Sequence, residues 1–304
     1  MGARLVRLDC MSEPAIRIEG LHKHYGDLHA VDGLDLEIPR GEVFALLGPN
    51  GAGKSTTVEI LEGFRRRTAG TVSVLGVDPQ HATREWRSRV GVMLQGTSER
   101  GLLTAREALQ YAARLHPDPR DVDETLAAVG LTEKAGAKPA TLSGGQRRRL
   151  DVALALIGRP ELVFLDEPTT GFDPEARRQF WTLIESVRGD GTTILLTTHY
   201  LDEADYLADR IGIIAAGRMV ALDTPKGLRA RAAEARVSWA EDGAARSEET
   251  STPTALLREL LARTEGEIEH LEVTHPSLED VYLTLIGEAA RDAASAHESE
   301  EVSA

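Results

Sequence analysis

Cysteine is nearly absent, with Cys10 the single one in 304 residues. One thiol cannot close a bridge within the chain, which excludes an intramolecular disulfide framework and agrees with a reducing compartment. Cys10 ends Val6-Arg-Leu-Asp-Cys10, a string similar to a lipoprotein cleavage box, but no apolar h-region of about 7 to 15 residues precedes it. Val6 stands where myristoylation of Gly2 would want Ser or Thr at the sixth position. Residues 1–14 are therefore read as an N-terminal extension without fixed structure, and Met11 as a second candidate start. Long apolar runs are missing as well. The longest have the length of a strand or a short helix, against the roughly 18 residues of a spanning helix, so membrane contact is expected only through a partner. Basic charge is the minority: 35 Lys and Arg against 49 Asp and Glu leave a formal charge of −14, which argues against a nucleic-acid surface. Two basic clusters, Arg65 to Arg67 and Arg147 to Arg149, read as solvated helix faces. The chain's length suggests about two domains, and 41% apolar residues allow a sizeable core.

What is present is a phosphate loop. Gly48, Pro49, Asn50, Gly51, Ala52, Gly53, Lys54, Ser55 and Thr56 fit G-x-x-x-x-G-K-[ST] directly after the apolar run Val43 to Leu47. Glycines let the backbone wrap a phosphate, successive N–H groups form an anion nest, and the helix that follows adds its positive end. Lys54 would reach the β- and γ-phosphates and Ser55 would hold Mg²⁺. The pattern predicts binding of a nucleoside triphosphate.

Downstream segments fit the same chemistry. Ser143 is placed as the N-cap of a helix whose stripe is Leu150, Ala153, Leu154 and Ile157, a second helix N-terminus aimed at an anion. Leu162 to Leu165 is a buried-strand run ending in Asp166 and Glu167, which places Asp166 for Mg²⁺ and Glu167 for water. Thr193 to His199 is another such run, and it sets His199 beside the γ-phosphate.

In this order and spacing the residues resemble the nucleotide-binding subunit of an ATP-binding cassette (ABC) transporter, over about residues 15 to 228. The resemblance implies an α/β P-loop ATPase cassette, with a mixed, largely parallel sheet core and a helical subdomain at about 96–158. It makes Glu167 the catalytic carboxylate and His199 the switch histidine. Gln95, after Val90 to Leu94, becomes a contact of Mg²⁺ or water at the head of a loop, 96–103, that faces the membrane partner. Tyr25 becomes the aromatic stacked on adenine. Ser143, Gly144, Gly145 and Gln146 become the signature, with Ser143 and Gly145 closing over ATP held by the opposite subunit of a homodimer. Asp173 is expected at an interface rather than in the chemistry, and Phe172 stands where the family usually has Leu. Glu167 to Arg177 and His275 to Tyr282 look like the drug-resistance-type exporters, whose ATPase and permease are separate chains. The implied function is hydrolysis of ATP with Mg²⁺, at the cytoplasmic face of the membrane, to power a separate permease that exports a drug, antibiotic or lipid-like compound. Two other classes remain: a soluble cassette ATPase acting on ribosomes or DNA, and a non-hydrolysing regulator. The lack of a second cassette or a coiled-coil insertion weighs against the former, and the presence of both Glu167 and His199 against the latter.

Beyond the cassette, residues 229–253 read as a linker and 254–287 as the rest of a small C-terminal α/β appendix that includes a strand at 237–240. Strand 268–273 and helices 254–262 and 277–286 complete it, and 288–304 read as a disordered tail.

Overall fold

The computed structural model describes residues 13–93, 102–231, 235–241, 244–264, 266–274 and 276–301, with side chains as far as Arg291. Residues 1–12, with Cys10, and 94–101, with Gln95, lie outside the described residues, as does His275.

Ile16, Ile18 and Leu21 of β1 (Ile16–Tyr25) are buried while Arg17 and Glu19 face water, the alternation of a strand covered on one face. It pairs antiparallel with β2 (Leu28–Ile38). The next strand, β3 (Val43–Leu47), is buried along its whole length. Val43, Ala45 and Leu47 enter one core and Phe44 and Leu46 another, as period-two side chains must in a strand covered on both sides. After α1 (Lys54–Leu61), β4 (Ala69–Val74) returns to give a three-stranded sheet in the order β2-β1-β4.

The central sheet takes β3 together with β5 (Val90–Met93), β6 (Leu162–Asp166), β7 (Thr193–Thr197), β8 (Arg210–Ala215) and β9 (Arg218–Asp223). Its order is β5-β6-β7-β3-β8-β9, parallel throughout except for the antiparallel pair β8 and β9. One face packs on α1, on α2 (Arg84–Ser88) and on the antiparallel sheet through Phe44, Phe164 and Trp86. The other packs on α3 (Ala105–Ala113), α4 (Val122–Ala128), α5 (Gly144–Leu156) and α6 (Pro174–Gly189).

Local signals set the helix starts. Thr104 and Glu107 close a capping box at α3, and Asp121 accepts from the N–H groups of Asp123 and Glu124 to start α4. Two shorter helices, α7 (Leu201–Leu207) and α8 (Pro225–Arg231), flank β8 and β9.

The C-terminal region departs from expectation at three places. The segment read as a linker holds a hairpin of β10 (Ala235–Glu241) and β11 (Ala244–Thr250). β11 has no apolar alternation because it is an exposed edge strand, held by backbone pairing and a cross-strand Arg236–Glu249 bridge of 2.7 Å. With α9 (Pro253–Arg263) and β12 (Glu272–Thr274) it encloses a small core of Val237, Trp239, Leu256, Leu260 and Ile268. Ile268 is buried but lies ahead of β12, which is shorter than the strand expected there. The tail expected to be disordered from 288 continues instead as helix, in α10 (Leu278–Glu301). Its Ala- and Glu-rich composition has high intrinsic helix propensity.

Candidate active site

Three neighbouring strands of the central sheet, β6, β7 and β3, end at the same edge, and each passes into a loop that carries a candidate residue. From β3 the chain enters Gly48 to Gly53 and then α1, which Gly53 caps at φ 100°. A Cβ on Gly48 would lie 2.2 Å from the carbonyl oxygen of Ile214, and one on Gly53 2.3 Å from that of Ala30. Both neighbours are backbone, so only glycine fits. Ser55 is exposed and Thr56 half-buried in the first turn of α1, where the leading N–H groups can receive an anion.

Lys54 is folded over this loop, its Nζ donating to the carbonyls of Gly48 at 2.6 Å and Pro49 at 3.0 Å. Burial holds its ammonium below the usual lysine range, while the Glu167 and Asp166 carboxylates oppose that shift. The three charged groups therefore share one field.

Strand β6 delivers the two carboxylates. The Thr197 hydroxyl at the end of β7 donates to Asp166 Oδ1 and accepts from the Glu167 N–H at 3.2 Å, so one side chain orients both acids. Glu167 itself sits at φ 46°, a left-handed conformation that a non-glycine residue adopts at a cost. Its Oε1 lies 3.4 Å from His199 Nδ1 and its Oε2 accepts from the Thr170 hydroxyl at 3.3 Å. Two residues 32 positions apart in the chain thus meet beyond the ends of adjacent parallel strands.

The signature segment starts α5. Ser143 caps it, its hydroxyl accepting from the Gln146 N–H at 3.2 Å while Gln146 Oε1 accepts from the Ser143 N–H at 3.0 Å. Ser143 and Gly144 are exposed, and Gly145 backs on the ring of Phe172. Phe172 is itself buried against Phe180, edge to face, so an aromatic at this position fits the core. Asp173 caps α6 by accepting from the Ala176 N–H at 2.8 Å. Tyr25 ends β1 with 40% of its surface exposed, and Lys23 and Arg65 lie against its ring.

Arg148 was not legible as part of the site. Its cluster reads as a solvated face, yet its Nη2 donates to the backbone carbonyls of both Asp166 and Glu167 at 2.8 Å. The available signal is helical spacing, since Arg148 precedes the buried Val152 by four residues. Arg67 also turns inward, forking onto Asp78 at 2.8 and 2.7 Å. Arg148→Met should destabilise the fold by about 3–6 kcal/mol, because hydrogen bonds to charged groups are worth about 1.5–3 kcal/mol each and two carbonyls lose their donor. Chemical denaturation measures it, and an unchanged midpoint would mean that the tether is idle.

Two acids near the site also escaped sequence reasoning. Burial pushes the Glu62 carboxyl, just after α1, up to about 8, and the charges of Asp166 and Glu59 add to it. Glu203 on α7 is fully buried beside Thr198, Thr169, Trp181 and Arg177, and burial raises its carboxyl too. Nothing local in the sequence marks either as buried.

A family profile described as "ABC transporter" matches residues 31–170. The daunorubicin/doxorubicin resistance ATP-binding protein of Streptomyces peucetius is 39% identical, over 94% of this chain and 97% of its own. The Nod factor export ATP-binding protein I of Ralstonia nicotianae is 43% identical over 71% of this chain and 69% of its own. Among solved structures, a dimeric bacterial ABC transporter cassette superposes with a TM-score of 0.61 at 26% identity, covering 69% of this chain and 98% of that one.

Proposed function

The chain belongs to the ABC transporter family as an ATP-binding cassette that hydrolyses ATP, and from that premise we propose that it powers a separate membrane permease exporting a drug, antibiotic or lipid-like compound. The observation that carries this reading is the convergence of the Lys54 loop, Glu167 and His199 beyond the ends of β3, β6 and β7. Ligands in parallel α/β sheets bind at such carboxyl ends.

In the proposed cycle, adenine stacks on Tyr25 and the phosphates enter the loop from Gly48 to Thr56, displacing Lys54 from the Gly48 and Pro49 carbonyls. Lys54 then neutralises the β- and γ-phosphates. Ser55 and Asp166 are hard oxygen donors, and the Thr197 hydroxyl already orients the Asp166 carboxylate, so the pair suits Mg²⁺. That ion would supply positive charge to the phosphate oxygens. Glu167 orients the attacking water and takes its proton, while His199 gives up its contact with Glu167 to meet the γ-phosphate. Ser143, exposed at the start of α5, and the half-buried Gly145 beside it complete the site of a second copy. Gln95 keeps its proposed role at Mg²⁺ or water on the resemblance alone.

Export by a separate permease draws support from the drug-resistance and Nod factor export relatives. No helix among the described residues is long and apolar enough to cross a membrane. Leu102, Leu103, Tyr111 and Leu115 of the helical subdomain are exposed, and this reading assigns them to the contact with the permease. Location at the cytoplasmic face of the membrane is part of this proposal and draws its support from the transporter relatives. Pull-down of the full chain from detergent extract should recover one polytopic membrane protein, and vesicles holding both should move cargo only with ATP. Recovery of ribosomes or DNA in its place would overturn the transporter reading.

A further inference from the structure

We propose that His22, His24 and Asp32, with His29 at their edge, form a site for a transition-metal ion of the zinc class on the hairpin that leads into Tyr25. The strand register makes the cluster. His22 pairs across the hairpin with Asp32 and His24 with His29; His22 and His24, two apart, share a face of β1, and a register shift between Lys23 and His24 takes up the extra residue on β2 so that His29 and Asp32, three apart, meet them there. Four metal-ligating side chains therefore stand in a two-by-two array on one face of β1 and β2.

Their atoms are already close. One ligand atom each from His22, His24 and Asp32 lie within 4.8 Å of one another. His22 Nδ1 is 3.2 Å and His29 Nδ1 3.9 Å from the same oxygen, Asp32 Oδ1. The His24 ring stacks on that of His29 at 3.9 Å, and its Nε2 is buried without a hydrogen-bond partner. Bonds of about 2.0–2.1 Å in a tetrahedral site put ligand atoms roughly 3.3 Å apart, so closing on an ion asks the atoms, now within 4.8 Å of one another, to approach by at most about 1.5 Å.

Asp32 is held ready for this. Arg218 donates to its other oxygen, Oδ2, from Nε at 2.9 Å and Nη2 at 2.6 Å, and so leaves Oδ1 turned to the histidines. The Asp32 N–H is fixed on the Gly217 carbonyl at 2.9 Å. A partner that orients a ligating carboxylate from behind is the usual support of a metal site. The guanidinium also cancels the one carboxylate charge, which leaves imidazole as the deciding ligand. Imidazole selects zinc, nickel or copper, and hard-oxygen ions such as Mg²⁺ have little to hold here.

The test is calorimetric titration of ZnCl₂ into the nucleotide-free full chain, beside the His22→Gln/His24→Gln double variant and the His24→Gln single variant. Wild type should bind one Zn²⁺, the single variant at least tenfold more weakly, and the double variant with no measurable heat at that site. MgCl₂ should give no competing heat. If the double variant unfolds, visible d–d absorption of Co²⁺ bound to wild type, and its loss in the folded single variant, decides the matter. Equal zinc affinity and stoichiometry in wild type and His24→Gln, or no zinc heat from wild type, overturns the site. None of these outcomes bears on ATP hydrolysis, whose residues lie elsewhere.

Discussion

Glu167→Gln is expected to lower phosphate release by roughly 10²–10⁴, the usual worth of a positioned general base, while ATP still binds. Glutamine keeps the shape of glutamate, and the contacts that hold residue 167 in its left-handed turn are largely backbone: its N–H on Thr197 and its carbonyl on Arg148. The loop should therefore stay in place. What is lost is the acceptor for the proton of water, and with it the carboxylate 3.4 Å from His199. Two copies closed over uncleaved ATP should then accumulate as a dimer on gel filtration with ATP. Near-normal phosphate release would show that another group activates the water.

Ser143→Arg should collapse hydrolysis in the homodimer yet leave nucleotide binding by a single copy nearly unchanged. Ser143 is exposed at the start of α5, and its capping bond to the Gln146 N–H is worth about 1 kcal/mol, so the substitution costs little stability. The new guanidinium would stand where a signature must approach the γ-phosphate of the facing copy. Lys54→Ala removes the cation on the phosphates instead, and it should abolish hydrolysis by weakening ATP binding. Mixing the two inactive proteins pairs one intact loop with one intact signature. Recovery of up to half of wild-type phosphate release per mixed dimer is the expected result. Mixtures as inactive as their components, with mixed dimers demonstrated, would put the signature's action within one chain.

The phosphate loop was readable because each residue type answers to a local demand: no side chain fits at Gly48 or Gly53, and Lys54 must sit one step into a helix. The N-cap at Ser143 was readable for the same reason, the backbone group it satisfies lying three residues on at Gln146. Arg148 was not, because a run of three arginines looks alike whether it faces water or a neighbouring loop. Only the packing of α5 beside β6 decides that. Strand β11 escaped because an exposed edge strand has no buried face to impose a period. The tail escaped because alanine and glutamate serve a helix as well as they serve disorder. The His22 to Asp32 array needed the register of β1 on β2, which no single strand's pattern specifies.

Leu278 and Val281 at the start of α10 are buried in the main core with α6 and the central sheet, whereas Val237, Trp239 and Leu260 are buried in a core of their own. Since α10 also packs on α8, the chain leaves the main body at Arg231 and rejoins it near the same place. The small β10 to β12 fold is thus a detour inside the cassette rather than a trailer behind it. Physically such a loop is an exchangeable cartridge: lengthening, replacing or deleting it between α8 and α10 should leave the machinery that splits ATP in place. A nonsense mutation just before Leu278, by contrast, strips a wall from the main core, so selection should forgive losses within the detour far more readily than loss of the short stretch that follows it.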